Sequence, residues 1–370
     1  MKKLILFLFL TFSFIGFNQQ THETIDISGT QREYYKYLPA GYDQSTEQLP
    51  IIIILHGLGG DALSLTGGGI NQIADTARFI PLYLQGLPNA YAQNSWNNGT
   101  LLSSNGDDIL FISKVIDEVN ALHGIDLNKV YMVGISMGSI MTFHALTVLD
   151  NRIAAVSCHI GTMSTTDLNS YSPTYPIPVQ QIHGTNDQTV PYDGTPLQSL
   201  SLVPQTLNKL KSVNGWLGDS TITPLPDNAN DGITLQQIDY NCTGADLQHI
   251  KMIGADHIFL FQPANDTSGI FLSWYFLRQY SHPNPIAVGL NDDLYDISSI
   301  SFYPNPATNL VKIESKTSIQ SIKVYNLNGQ LILLQKNSNQ IDVTELSKGM
   351  YIIEIINSEQ NVFKDKLIIQ

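Results

Sequence analysis

A serine hydroxyl becomes a nucleophile when a histidine takes its proton. That histidine in turn needs a carboxylate to fix its tautomer and offset its charge. The stretch with residue types and spacing for such chemistry is Gly134-Ile135-Ser136-Met137-Gly138, a G-x-S-x-G pentapeptide. Alone it is weak evidence, since glycine and serine are common residues and a Gly/Ser-rich turn needs no chemistry. Its setting gives it weight. Lys129 to Val133 is a short β-branched and aromatic run that reads as a buried strand. Met137 to Leu149 contains no proline and spaces Ile140, Met141, Phe143, His144, Leu146 and Val148 as a largely buried helix. A strand, a sharp turn flanked by glycines and a helix present the serine oxygen from a strained backbone position. Side chains at the glycines would collide with the adjoining strand and helix.

Such an elbow belongs to the α/β-hydrolase architecture, in which the acid and the histidine follow the serine along the chain. Downstream, Ile182-His183-Gly184-Thr185-Asn186-Asp187 puts Asp187 in a tight loop after a strand-like run, where a carboxylate is held rigidly. Asp193 lies further out and is the weaker acid. Gly254-Ala255-Asp256-His257 follows the strand-like run Leu247 to Ile253, which makes His257 the candidate base. His249 lies inside that run, His183 ends its own, and His144 sits on the elbow helix; all three read as structural. The expected catalytic set is Ser136, Asp187 and His257.

Acyl transfer places negative charge on the carbonyl oxygen, and that oxygen needs preorganised donors. The backbone N–H of Met137, at the start of the elbow helix, is one expected oxyanion-hole donor. The other is expected from Leu58 or its neighbour in the glycine-rich loop His56-Gly57-Leu58-Gly59-Gly60. Trp96, His56 and Tyr192 are candidates for substrate binding; for Trp96 a ring covering the core is an equally good reading. No metal or nucleotide motif is present, and no cofactor is expected.

The elements that must position these residues alternate along the chain. Glu23 to Ser28 and Arg32 to Leu38 read as a hairpin around Gly29-Thr30, and Pro50 to Leu55 as a strand buried on both faces. Phe79 to Leu84 is a further strand, and Asn105-Gly106-Asp107-Asp108 caps a helix carrying Ile109, Ile112, Val115, Ile116 and Val119. Strands at Ile153 to Cys158, Val179 to His183, Ile233 to Tyr240 and Leu247 to Ile253, with helices at Pro204 to Val213 and Phe271 to Tyr280, imply a doubly wound, mostly parallel α/β sheet. From residue 298 the pattern changes to short alternating runs separated by turn residues, the signature of a small all-β sandwich.

The N-terminus is basic at Lys2-Lys3, apolar from Leu4 to Phe17 and polar at Asn18-Gln19-Gln20, which reads as a secretory signal peptide. The expected division is a signal peptide over 1–18, a catalytic domain over 19–282, a linker over 283–297 and a β-sandwich over 298–370. With 19 Lys and Arg against 32 Asp and Glu, the net charge of -13 makes nucleic acid and anionic membrane surfaces poor partners. No later run is apolar enough for stable membrane insertion. Two cysteines, Cys158 and Cys242, would be exported together; a disulfide and two free thiols are both open to them.

Residues 24 to 280 resemble the secreted esterase family that includes feruloyl esterases and polyhydroxybutyrate depolymerases. The matching pieces are Leu55 to Gly60, Gln85-Gly86-Leu87-Pro88, Ser95-Trp96-Asn97, Asp107-Asp108 with Phe111-Ile112, Val130 to Gly138, His183 to Tyr192, and Gly254 to His257. The resemblance implies a serine carboxylesterase of α/β-hydrolase fold acting on a small or polymeric ester through an acyl-enzyme, with the triad on Ser136, Asp187 and His257. Residues 298 to 370 resemble a type IX secretion sorting domain of the A type, carried by Phe302 to Ala307, Val324 to Gln330, Leu346 to Tyr351 and Lys364 to Gln370. That resemblance implies secretion machinery as a partner and an extracellular or cell-surface location after outer-membrane export. The competing readings are a serine peptidase of the same fold and a non-catalytic, surface-displayed binding protein.

Overall fold

The computed structural model describes residues 19–260, 265–283, 285, 301–315, 317–326, 331–358 and 362–370. The chain forms two compact units, one up to residue 289 and one from residue 290 onward. The expected signal segment 1–18 and nearly all of the expected linker lie outside the described residues.

The first unit opens on a hairpin, β1 (Gln20–Ile27) and β2 (Thr30–Tyr37), reversed at Gly29 with φ +82°. β3 (Ile51–Leu55) is isoleucine and leucine throughout and buried at every position, as a strand covered on both faces must be. β4 (Ile80–Leu84), β5 (Val130–Ile135), β6 (Ala155–His159) and β7 (Val179–Gly184) are buried almost throughout. β8 (Trp216–Pro224), β9 (Thr234–Cys242) and β10 (Leu247–Ile253) complete a ten-stranded sheet of order β1-β2-β4-β3-β5-β6-β7-β10-β9-β8. From β4 to β10 the pairings are parallel; those of the outer strands are antiparallel.

Parallel neighbours need crossovers, and helices supply them. α1 (Ala62–Leu65) and α2 (Ile70–Ala77) join β3 to β4, α3 (Asp108–His123) joins β4 to β5, and α4 (Met137–Leu146) joins β5 to β6. α5 (Thr165–Ser170) leads to β7, α6 (Val203–Asn214) to β8, and α7 (Gly269–Leu277) follows β10. The result is a doubly wound, mostly parallel sheet of α/β-hydrolase type. After β3 the chain first moves outward to β4 and then crosses back to β5 on the other side of β3. Adjacent crossovers therefore diverge at the carboxyl ends of β3 and β5, the place where sheets of this kind build their sites. The His56 loop and Ser136 stand at those two strand ends.

α3 starts where the sequence placed its cap, with the Asp107 carboxylate accepting the Leu110 N–H. Its Asp108 is buried against Arg32 of β2 at 2.6 Å, tying the hairpin to the helix that precedes the elbow strand. β8 was not among the expected strands. Every one of its residues is exposed, so it lacks the apolar alternation by which a half-buried strand is recognised. Both cysteines are free thiols, Cys158 buried and Cys242 half-buried. Among the described residues no helix is long and apolar enough to cross a membrane.

The second unit has two antiparallel sheets. β11 (Ser301–Tyr303), β12 (Leu310–Glu314) and β15 (Gln340–Asp342) form one; β13 (Ile319–Tyr325), β14 (Leu331–Lys336), β16 (Gly349–Asn357) and β17 (Val362–Ile369) form the other. Val311, Ile313 and Ile341 from the first pack with Ile322, Val324, Ile353, Ile355 and Leu367 from the second, so the core lies between the sheets.

Candidate active site

Ser136 follows β5 with φ 54° and ψ −115°, a backbone position that costs a non-glycine residue on the order of 1–3 kcal/mol. Its N–H donates to the His159 carbonyl across 2.8 Å, which holds the turn against β6. The flanking glycines are sterically required. A Cβ on Gly134 would enter the carbonyl of Gly138, and a Cβ on Gly138 would enter the carbonyl of Leu55. The Ser136 carbonyl already accepts the N–H groups of Ser139 and Ile140. The Met137 N–H is the first of the donors that a helix start leaves without an intrahelical acceptor.

His257 comes from the loop after β10, and Asp187 from the loop after β7. These loops are bonded to each other: Thr185 N–H reaches Met252 O at 2.9 Å, Asn186 N–H reaches Ala255 O at 2.9 Å, and Gln188 N–H reaches an oxygen of Asp256 at 3.1 Å. The same Asp256 oxygen accepts the His257 N–H at 2.8 Å. His257 Nε2 then lies 2.9 Å from Ser136 Oγ, and its Nδ1 lies 2.7 Å from Asp187 Oδ2. The two contacts assign the tautomer, with the proton on Nδ1 donated to the carboxylate and Nε2 accepting the serine hydroxyl. The three expected catalytic residues thus form one hydrogen-bonded line.

Asp187 is buried. Burial would raise its carboxyl, but hydrogen bonds from His183, His257 and the Val190 N–H outweigh it and hold Asp187 well below the usual carboxylate range. Its Oδ1 accepts the N–H groups of Thr189 and Val190, each at 2.8 Å. Asp193, the weaker candidate, is exposed.

The loop after β3 is pinned from several directions. His56 Nδ1 lies 2.7 Å from Gly57 O and its Nε2 accepts the Gly86 N–H at 3.0 Å, so the ring is neutral with its proton on Nδ1. Burial pushes His56 further below its ordinary range. Gly60 N–H also donates to Gly57 O, and Gly59 N–H to Asn94 O. In a trans peptide the carbonyl and the next N–H point in opposite directions. Holding Gly57 O toward His56 therefore turns the Leu58 N–H the other way. A Cβ on Gly57 would stand 3.3 Å from the Ser136 Cβ, which puts this peptide beside the serine.

The candidates for substrate binding stand differently. Trp96 is fully buried, packs against the His56 ring at 4.9 Å between centroids, and donates its Nε1 to His56 O at 2.8 Å. It offers no ring face to a substrate, because the indole is spent on supporting the loop. His56 is buried for the same reason. Tyr192 is half-buried, and its hydroxyl bonds His249 Nε2 at 3.0 Å. Burial holds His249 at about 3, and its Nδ1 lies 3.0 Å from Gln181 O, so Tyr192 is the donor. His144 pairs with Asp167 at 2.9 Å.

Two residues at the site carried no functional reading in the sequence. Asn98 is buried and brings its Nδ2 to 2.9 Å from Met137 Sδ, and no local pattern announces it. His183 lies 3.2 Å from Asp187 Oδ2; its i,i+4 spacing to the acid across a tight turn was the available signal. Among the described residues no group of three or more His, Cys, Asp or Glu side chains is placed to hold a metal ion.

Residues 32–173 match the family model described as esterase PHB depolymerase, and residues 301–370 match the secretion system C-terminal sorting domain. The chain is similar to the bifunctional acetylxylan esterase/xylanase XynS20E of Neocallimastix patriciarum, 24% identical over 71% of this chain and 35% of that protein, and to feruloyl esterase B of Piromyces equi, 25% identical over 66% of this chain and 44% of that one. The chain thus spans less than half the length of these two relatives. Among solved structures, an acetyl xylan esterase from Aspergillus awamori aligns at 18% identity with a TM-score of 0.46, covering 64% of this chain and 94% of that one. The sheet order and crossovers described above establish the fold independently.

Proposed function

We propose that the first unit is a secreted serine carboxylesterase that cleaves carboxylic esters through an acyl-enzyme. The observation that supports this reading most directly is the line from Ser136 Oγ through His257 to the buried Asp187 carboxylate. In the proposed cycle His257 Nε2 takes the Ser136 proton as Oγ bonds to the ester carbonyl carbon. The N–H groups of Leu58 and Met137 receive the resulting oxyanion. Collapse breaks the bond to the alkoxy oxygen, which leaves as alcohol with the proton from His257. Water, deprotonated by the same nitrogen, then releases the acid and restores Ser136. Feruloyl, short-chain acyl and hydroxyalkanoate esters all suit this chemistry and differ in the pocket they need.

In the same proposal residues 1–18 are a signal peptide and 19–282 the catalytic domain. Residues 283–297 are a linker, and 298–370 are the sorting domain that engages type IX secretion machinery for delivery outside the cell or to its surface. The test is hydrolysis of methyl ferulate, an acetylated sugar and a 3-hydroxybutyrate oligomer by the purified protein and by Ser136→Ala. Turnover that disappears in the folded variant is the expected result, and turnover that survives overturns the serine reading. Cleavage of peptides in preference to all three esters would make the domain a peptidase, and an unlabelled Ser136 after fluorophosphonate treatment would make it a binding protein.

A further inference from the structure

His183 occupies the next-to-last position of β7, paired in register with Lys251 of β10, and its side chain has no exposed surface. Its Nε2 stands 2.8 Å from the Val190 carbonyl and 3.2 Å from Asp187 Oδ2. Neither acceptor carries a proton, so the proton of this contact belongs to Nε2. Its Nδ1 is buried without a partner among the described residues, which fits the tautomer with that nitrogen bare. A single N–H is therefore shared between the carboxylate and the carbonyl that closes the same loop.

The arrangement completes the acid. The two donors to Asp187 Oδ1, Thr189 and Val190, come from the acid's own turn and would follow it if the turn tilted. His183 alone brings a donor from the sheet itself. With His257 on the other side of Oδ2, four N–H donors meet the carboxylate, which fills the roughly four lone-pair positions it has. We propose that His183 is a positioning residue: its Nε2–H anchors Asp187 Oδ2 and the Val190 carbonyl to β7, and so sets the oxygen that receives His257. The inference rests on the serine-esterase reading of the site. His183 does not meet the substrate, so it acts on the chemical step and leaves substrate binding alone.

The test compares His183→Gln, His183→Asn and His183→Phe in the full chain, with p-nitrophenyl acetate as the ester and Ser136→Ala as the blank. The glutamine amide places a donor near the position of Nε2, the asparagine amide stops short of it, and phenylalanine fills the volume without a donor. Loss of a hydrogen bond to a charged group corresponds to a fall in kcat of about tenfold to a hundredfold for Asn and Phe, with KM within about twofold of the parent and Gln recovering kcat to within about threefold. Melting temperatures accompany each rate. If Phe does not fold, the Gln and Asn pair decides. Wild-type kcat in Phe or Asn overturns the inference, as does a loss in Gln equal to that in Asn, or losses that track melting temperature in all three. Turnover retained by Ser136→Ala would remove the serine reading of the site itself; a dead Ser136→Ala beside a fully active His183→Phe removes only the role of His183.

Discussion

The indole Nε1 of Trp96 donates to the carbonyl oxygen of His56 across 2.8 Å, and both residues are buried. The loop beside Ser136 thus hangs from a side chain forty positions further along the chain, on a segment with no regular structure of its own. Trp96→Phe keeps a ring but orphans the His56 carbonyl. A buried acceptor left unmet costs about 1–3 kcal/mol, which a urea titration will register. The ratio of rates on aromatic and aliphatic esters should stay unchanged; a shift confined to aromatic esters would return Trp96 to the substrate.

Gly138 and Gly59 separate two reasons for glycine. A Cβ on Gly138 enters the carbonyl of Leu55, backbone that cannot move without shifting β3, whereas Gly59 has open space around its Cβ position but φ +71°. Gly59→Ala should cost about 1–2 kcal/mol, the ordinary penalty for a left-handed residue. Gly138→Ala should exceed about 3 kcal/mol or fail to fold. Equal melting temperatures for the two variants would show that the elbow can open by more than the structure allows.

Asp187→Asn should lower kcat by about four orders of magnitude, because an amide presents its own N–H to His257 and favours the wrong tautomer. The same variant has a pH signature. The folded state holds Asp187 ionised below the usual carboxylate range, so the carboxylate stabilises the fold fully above its unfolded value of about 4. That stability is lost as the pH falls through the lower folded value. The advantage of the parent over Asn should therefore hold from about pH 7 to about pH 5 and shrink as the pH falls further, when urea midpoints are compared. An advantage that grows on acidification contradicts the assignment.

Arg32 and Asp108 form an ion pair with no exposed side-chain surface. Asp108 Oδ2 also accepts the Asn97 N–H, and the Arg32 guanidinium lies 4.0 Å over the Phe111 ring. Removing one charge leaves the other buried and unmatched, so Arg32→Met should destabilise the protein by about 3–5 kcal/mol. Arg32→Met with Asp108→Leu should recover part of that loss. A double variant no better than the single one would place the cost in packing against Phe111 instead of charge.

Much of this protein was legible in its residues. The isoleucine run of β3, the Asp107 cap and the glycines around Ser136 act through neighbours close in the chain, and local steric and burial rules fix their conformation. The order of serine, acid and histidine limited the triad to a few positions, and Ser136, Asp187 and His257 do meet in space. β8 escaped because every residue in it faces solvent, so pairing with β9 leaves no mark on its composition. The fates of Trp96, Asn98 and His183 escaped for another reason. A tryptophan in a polar loop has the same local sequence whether its ring lies under the loop or over a cleft. Which of these occurs depends on a carbonyl in the loop after β3, forty positions earlier in the chain. The sequence by itself determined the buried strands, the elbow and the candidate positions for serine, acid and histidine, because those follow from short-range sterics, hydrophobic periodicity and chain order. Only the tertiary structure decided which buried donors hold His56, Met137 and Asp187 in place, because those bonds join segments far apart in the chain and form only once the sheet has brought them together.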